Sequence, residues 1–205
     1  LVCNNLATLV YIINLGAIDL NPWASCTHSP ETPSYITVDL DPSDEDFNKA
    51  VESAIAAKSL FDEKGIQAFV KTSGKTGIHL ILPCQGLTFP EARSIGENLC
   101  NEIHRLVPNI TTRERSVSKR GSRLYLDDSQ NDITDTIASA YSVRPFHLPT
   151  VSTPLDWKEV KPGLQPTGFT ISTIPKRLNR KGDLWTPLFE EKIILKNSSI
   201  LRTFL

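Results

Sequence analysis

The segment Tyr35-Ile36-Thr37-Val38-Asp39-Leu40-Asp41-Pro42 constrains this chain more than any other stretch. Its β-branched and apolar residues read as a buried strand over 34–41. Side chains alternate along a strand, so Asp39 and Asp41 share one face while Leu40 points the other way, into a core. Pro42 stops the strand and leaves both carboxylates at its exposed end. Two unneutralised carboxylates this close repel and resist joint ionisation. A divalent cation removes the conflict, and Mg²⁺ or Mn²⁺ prefers such hard oxygen donors. Asp before Pro or Ser is equally at home in turns and helix starts, so the pair alone leaves a plain turn open.

The flanking sequence supplies the rest of the architecture. Ser43 is a good N-cap, and Asp44, Glu45 and Asp46 suit a first helical turn facing the dipole. Gly65 ends a helix predicted over 44–64, in which Phe47, Val51, Ala54, Ile55, Lys58 and Phe61 recur at helical spacing. Thr88 and Glu91 form a capping box for a second long helix through about Leu106. Residues 5–14 read as a helix, 16–20 as a short strand and 21–33 as a loop. Further strands are expected at 66–72, 78–83 and 123–126, and short elements near 156–160 and 169–178. Strands mixed with two long helices predict an α+β sandwich with a half-covered sheet. A chain of 205 residues, 40% of them hydrophobic, holds ample core for one large domain or two small ones, and is read as a single domain over 1–205.

The net charge of −1 gives no global basic excess, but the charges are unevenly placed. Acids cluster from Asp39 to Asp46. Bases cluster at Arg113, Arg115, Lys119, Arg120 and Arg123, and again at Lys176, Arg177, Arg180 and Lys181. A fold that brings the acidic strand end near basic segments builds a site for metal plus polyphosphate. Cys3, Cys26, Cys84 and Cys100 show no zinc spacing and are read as free thiols in a reducing cytoplasm. No apolar run is long enough to span a membrane. The chain has no Met and begins abruptly in apolar sequence, so an amino-terminal portion is expected to precede Leu1.

Three further segments carry chemistry. In Lys71-Thr72-Ser73-Gly74-Lys75-Thr76-Gly77-Ile78-His79, the glycines let backbone approach a ligand, and successive N–H groups can cradle an anion. Ser73 and Lys75 add a hydroxyl and a charge. The same residues also make a serviceable hairpin turn. In Lys119 to Asn131, an apolar strand ends at Asp127, a candidate third carboxylate, with Arg120 and Gln130 nearby. Arg144, in Tyr141-Ser142-Val143-Arg144, suits bidentate phosphate contact or a structural salt bridge.

Taken in order, these segments resemble one family: the polymerase (primase-like) domain of bacterial ligase D, the non-homologous end-joining enzyme of the archaeo-eukaryotic primase superfamily. The resemblance runs from about Asn5 to Trp185. Its marks are Asn14-Leu15-Gly16-Ala17-Ile18, Asn21-Pro22-Trp23, Val38-Asp39-Leu40-Asp41-Pro42, and Lys71-Thr72-Ser73-Gly74 with Gly77-Ile78-His79. They continue in Tyr125-Leu126-Asp127 with Gln130-Asn131, Tyr141-Ser142-Val143-Arg144, and Val151-Ser152-Thr153-Pro154-Leu155. The chain departs from the pattern at Asn21, where many members carry His, at Lys75, one position from the usual lysine, and at Asp128, usually aromatic.

The resemblance implies a primase-like (prim-pol) fold with an antiparallel sheet of RNA-recognition-motif type and flanking helices. Asp39, Asp41 and Asp127 would hold two ions, Mn²⁺ or Mg²⁺. Ser73, Lys75, His79, Arg120, Gln130 and Arg144 would contact the incoming nucleotide. It further implies template-dependent addition of nucleotides, preferentially ribonucleotides, to DNA ends in double-strand-break repair. Partners would be DNA ends with a template strand, NTP or dNTP, Ku and a ligase domain, in a bacterial cytoplasm at the nucleoid. The alternatives are a non-catalytic module that binds DNA ends for a repair ligase, and an Asp-x-Asp nucleotide-sugar transferase, which gives Arg120 and Arg144 no role.

Overall fold

The structure is a computed structural model and describes all residues, 1–205. In chain order its helices are α1 (Leu6–Asn14), α2 (Phe47–Lys64), α3 (Phe89–Leu106), α4 (Val117–Arg120), α5 (Ile174–Lys181) and α6 (Glu191–Leu201). Its strands are β1 (Ser25–Cys26), β2 (Ser29–Pro33), β3 (Tyr35–Pro42), β4 (Phe69–Thr72), β5 (Ile78–Pro83), β6 (Thr111–Thr112), β7 (Leu124–Asp127), β8 (Val143–Pro145), β9 (Pro149–Val151) and β10 (Pro154–Leu155).

Six strands form the central sheet in the order β10-β4-β5-β3-β7-β6. Every pairing is antiparallel except β6 with β7. The strands alternate as the sequence demands: Val38, Leu40, Val70, Leu80 and Leu126 are buried in one apolar core with Ala54, Phe61, Ile95 and Leu99 of α2 and α3. The opposite face carries the polar residues. This is the expected α+β sheet with helices flanking it.

Helix ends obey local chemistry, with one correction. Thr88 and Glu91 form the expected capping box of α3. Gly65 closes α2 at φ +72°, in the left-handed region where a side chain is costly. The start of α2, however, lies at Phe47 rather than residue 44. β3 stays in the ladder through Pro42, paired with Leu124, and Glu45 takes φ +61°, so no helix can begin there. Asp46 is therefore the cap, accepting from the Asn48 N–H at 3.1 Å, and the Ser43 hydroxyl is buried without a partner.

Other expectations shift for physical reasons. Residues 16–20 form no strand: Gly16 turns the chain at φ +86°, and Leu20 N–H donates to the Ser142 hydroxyl rather than to a ladder. The stretch 21–33 contains the β1–β2 hairpin, with an irregular register. The strand expected at 66–72 begins only at Phe69, because the backbone of Gln67 is engaged by the Asn197 side chain of α6. Of the elements expected near 156–160 and 169–178, the first is a 3₁₀ turn over Trp157–Glu159 and the second is α5. No helix is long and apolar enough to cross a membrane.

Candidate active site

Register, which the sequence does not display, assembles the site. In the ladders Lys71 of β4 lies opposite His79 of β5, His79 opposite Asp39 of β3, and Asp39 opposite Asp127 of β7. Four strands thus contribute one polar row across the face of the sheet opposite the apolar core. Asp41 lies two residues along β3 on the same face, opposite Tyr125.

The row is electrostatically dense. Burial, then repulsion from Asp41 and Asp127, pushes the Asp39 carboxyl up to about 8, with Lys71 and Arg144 pulling the other way. Burial also raises Asp41, opposed by Arg120, whose Nη1 lies 3.9 Å from the Asp41 carboxylate. Lys71 is held down to about 7 by burial, against the pull of Asp39. Burial, then Lys71 and Arg144, holds His79 well below the ordinary 6.5, so its imidazole is neutral. Unbalanced carboxylates beside a neutral imidazole are what a bound cation would relieve.

Each predicted carboxylate has its own protein partner. Asp39 Oδ1 lies 3.6 Å from His79 Nε2. Asp127 accepts from Ser129 N–H at 2.9 Å and from the Gln130 amide at 3.2 Å. The three share a face, with Asp127 opposite Asp39 and Asp41 one step further along β3, yet no trio of His, Cys, Asp or Glu side chains stands drawn onto one point as a closed chelate. Their donor chemistry nonetheless fits a hard divalent cation: aligned carboxylate oxygens, with Asp39 destabilised by its two neighbours.

The remaining predicted residues surround the row. Arg120 stacks on the Tyr125 ring, 3.8 Å from its centroid, and donates to the carbonyls of Glu114 and Arg115 at 2.9 Å each. Those bonds hold the guanidinium beside Asp41. Ser73 accepts from Lys75 N–H at 3.1 Å and Gly77 N–H at 3.0 Å, which ties the turn together and leaves its own O–H free to donate. Lys75 sits half-buried on that turn, and its ammonium pairs with no carboxylate. Arg144 packs over Gly74, whose φ is +80° and where an added Cβ would run into the arginine side chain and Ser152 N. Arg144 Nη1 reaches Asp19 Oδ1 and Asn21 Oδ1 at 3.2 Å each, while its buried Nε has no partner. The Gln130 Oε1 is likewise buried and unpartnered. Asn21 and Asp19 thus hold Arg144 in place.

Sequence reasoning missed three residues of this site. Lys71, which the sequence offers only as part of the segment before the glycine turn, is 1% exposed inside the row. Ser152 accepts from Lys71 at 2.7 Å. Asn131 is buried and bonded to the backbone of Thr37. A lysine alternating with apolar neighbours in a strand was the available signal for the first. The others act through contacts more than 80 residues apart in sequence, which no local pattern carries.

The fold and its acidic row fit the primase-polymerase class of domain. Residues 1–185 match the family model described as LigD, primase-polymerase domain. The bifunctional non-homologous end joining protein LigD of Bacillus subtilis (strain 168) is 36% identical over 186 residues, 89% of this chain and 30% of that protein. The multifunctional non-homologous end joining protein LigD of Pseudomonas aeruginosa is 26% identical over 173 residues, 83% of this chain and 21% of that protein. The solved polymerase domain from Mycobacterium tuberculosis ligase D in complex with DNA matches with a TM-score of 0.78 at 26% identity, covering 88% of this chain and 66% of that one. The chain belongs to the LigD primase-polymerase domain family. It spans less than a third of the length of the curated relatives it matches.

Proposed function

We propose that this domain extends DNA 3′ ends by template-dependent nucleotide addition in double-strand-break repair, using two divalent ions and preferring ribonucleotides. Its partners would be DNA ends carrying a template strand and a nucleoside triphosphate, with Ku and a ligase domain in the larger assembly. The observation that carries the reading is the register that sets Asp39 between Asp127 and His79 on one polar sheet face. Family membership and the DNA named with the solved relative support it.

Asp39, Asp41 and Asp127 would hold Mg²⁺ or Mn²⁺. Bound there, such ions lower the pKa of a primer hydroxyl and offset charge on the α-phosphate. The chain's own residues orient the reactants. The free Ser73 O–H and the Lys75 ammonium donate to the triphosphate, and the His79 Nε2 face and Arg144 guanidinium offset charge on the leaving pyrophosphate. Gly74 leaves room for Arg144 to lie close to that turn. Arg120 and Gln130 approach the nucleotide from the Asp41 and Asp127 side.

The test is extension of a labelled gapped duplex by this chain with NTP or dNTP and Mn²⁺. Asp39→Ala and Asp127→Ala should each abolish extension while circular dichroism stays native. DNA binding without any extension would favour a non-catalytic end-binding module instead. Extension by the Asp39→Ala, Asp127→Ala double variant would remove the assignment.

A further inference from the structure

We propose that α5 is a second anchor for DNA: its Lys176 and Arg180 side chains grip the phosphate backbone of the duplex whose end is extended at the polar row. The helix reads Ile174-Pro175-Lys176-Arg177-Leu178-Asn179-Arg180-Lys181, four bases in eight residues with no acid. Two of the four have partners. Arg177 binds Glu159 and the Pro154 carbonyl, and Lys181 binds Glu159 at 3.0 Å. Lys176 and Arg180 are exposed, lie one turn apart on one side of the helix, and pair with no carboxylate. Together with Arg177 they line an open groove of about 490 Å³.

The chemistry of the groove selects the partner. Guanidinium and ammonium groups beside the Thr173 hydroxyl suit phosphate oxygens. The groove's one hydrophobic residue, Phe169, packs against the central core with the Arg177 guanidinium over its ring, 5.3 Å from the centroid. No ring is left for an unpaired base to stack on, as a single-strand site would need. What remains is a contact to charge alone, the sequence-independent contact that duplex phosphates accept.

Strand pairing links this groove to the candidate site. Arg144 of β8 lies opposite Thr150 of β9, and Thr150 bridges Thr170. Two strand spacings of about 4.8 Å put the Thr170 backbone roughly 10 Å from that of Arg144. Thr170 leads into α5, and its N–H donates to the Thr173 hydroxyl at 2.9 Å. One duplex can therefore meet both the hairpin that carries Arg144 and the basic side of α5. The other exposed lysine pair on a helix has no such surroundings: Lys192 and Lys196 of α6 follow Glu190 and Glu191.

The anchor rests on the proposed polymerase reading, and a binding measurement separates the two. Anisotropy of a labelled gapped duplex, without nucleotide or divalent metal, is followed for the whole chain from low to high salt. Lys176→Gln combined with Arg180→Gln should weaken binding about ten-fold or more at low salt. The slope of log affinity against log salt should shrink by about 2, roughly one for each lost phosphate contact, and equally on two unrelated sequences. Lys192→Gln combined with Lys196→Gln removes the same charge from α6 and should change neither quantity. Unchanged binding in the α5 pair, or the same loss in both pairs, overturns the proposal, as does absence of duplex binding by the unmodified chain at low salt. Loss of binding to phosphatidylserine vesicles in the α5 pair, with duplex binding kept, assigns the helix to a lipid surface and overturns it too. If the α5 loss appears as stated while extension with NTP and Mn²⁺ fails, the polymerase reading falls and the anchor stands.

Discussion

The side-chain amide of Asn131 serves Thr37 as a missing strand would. Thr37 N–H donates to Asn131 Oδ1 at 2.7 Å, and Asn131 Nδ2 donates to the Thr37 carbonyl at 2.7 Å. β7 ends at Asp127, opposite Asp39, so the backbone of Thr37 has no neighbour on that side. Asn131 fills the place and at once donates to the Asp128 carbonyl at 2.9 Å. Gly96 of α3 makes room, since a Cβ there would stand 2.6 Å from Asn131 Nδ2. The clamp anchors the turn that carries Asp127 and Gln130 to the strand that carries Asp39.

Asn131→Ala should therefore damage fold and site together. It leaves two buried backbone groups of Thr37 unpaired, at a cost of about 2–5 kcal/mol. Urea unfolding reads that loss. Nucleotide addition should fall more than Asn131→Ala stability alone accounts for, measured at a urea-free temperature where the variant remains folded, because Asp127 loses its fixed place beside Asp39.

Gly74→Ala should act on Arg144. Gly74 sits at φ +80°, and its missing side chain is the space that Arg144 and Ser152 N occupy. A methyl group adds left-handed strain of about 1–2 kcal/mol and displaces the guanidinium. The expected result is a raised KM for nucleoside triphosphate with DNA affinity little changed, read by steady-state kinetics and by anisotropy of a labelled duplex.

Glu159 gives a pH signature outside the polar row. Burial alone would raise its carboxyl. Hydrogen bonds from Arg177 at 2.6 and 2.7 Å, the Asp156 N–H at 2.9 Å and Lys181 at 3.0 Å instead bring it from 4.5 to about 2. A carboxyl depressed in the folded state stabilises it above its unfolded value of 4.5, and that contribution is lost as pH falls from there towards about 2. Glu159→Gln should lower the urea midpoint near neutrality, and its gap from the unmodified protein should close across that acidic window. A gap that stays constant across the window would remove the ion cluster as its source.

The parts of this fold that rest on local chemistry were legible in the sequence. Alternation in β3 announced which side Asp39 and Asp41 share, and Thr88 with Glu91 marked the start of α3. Ser43 misled because capping preference is local, while the ladder through Pro42 and the left-handed Glu45 are decided by pairing with β7. The row itself was only half visible. Asp39, His79 and Asp127 were identified by type, but their adjacency is a matter of register between strands that the chain keeps far apart. Lys71 and Asn131 escaped for the same reason.

The carboxyl-terminal helix went unread, and its attachment yields the last prediction. α6 lies beyond residue 185, where the match to the family model ends. Its Asn197, fully buried, donates to the Gln67 carbonyl at 2.9 Å and accepts from Gln67 N–H at 3.0 Å. Ser198 accepts from Gln85 N–H at 2.9 Å, and Leu201 is part of the central core. These bonds grip the segments entering β4 and leaving β5, the two strands that carry Lys71 and His79. Asn197→Ala should cost about 2–5 kcal/mol by stranding the Gln67 backbone, and Leu201→Ala a similar amount through the cavity it leaves. If α6 is part of the domain, both variants shift one cooperative urea transition without changing its slope. A separate early transition in either variant would mark α6 as an appendage, with the sheet stable without it.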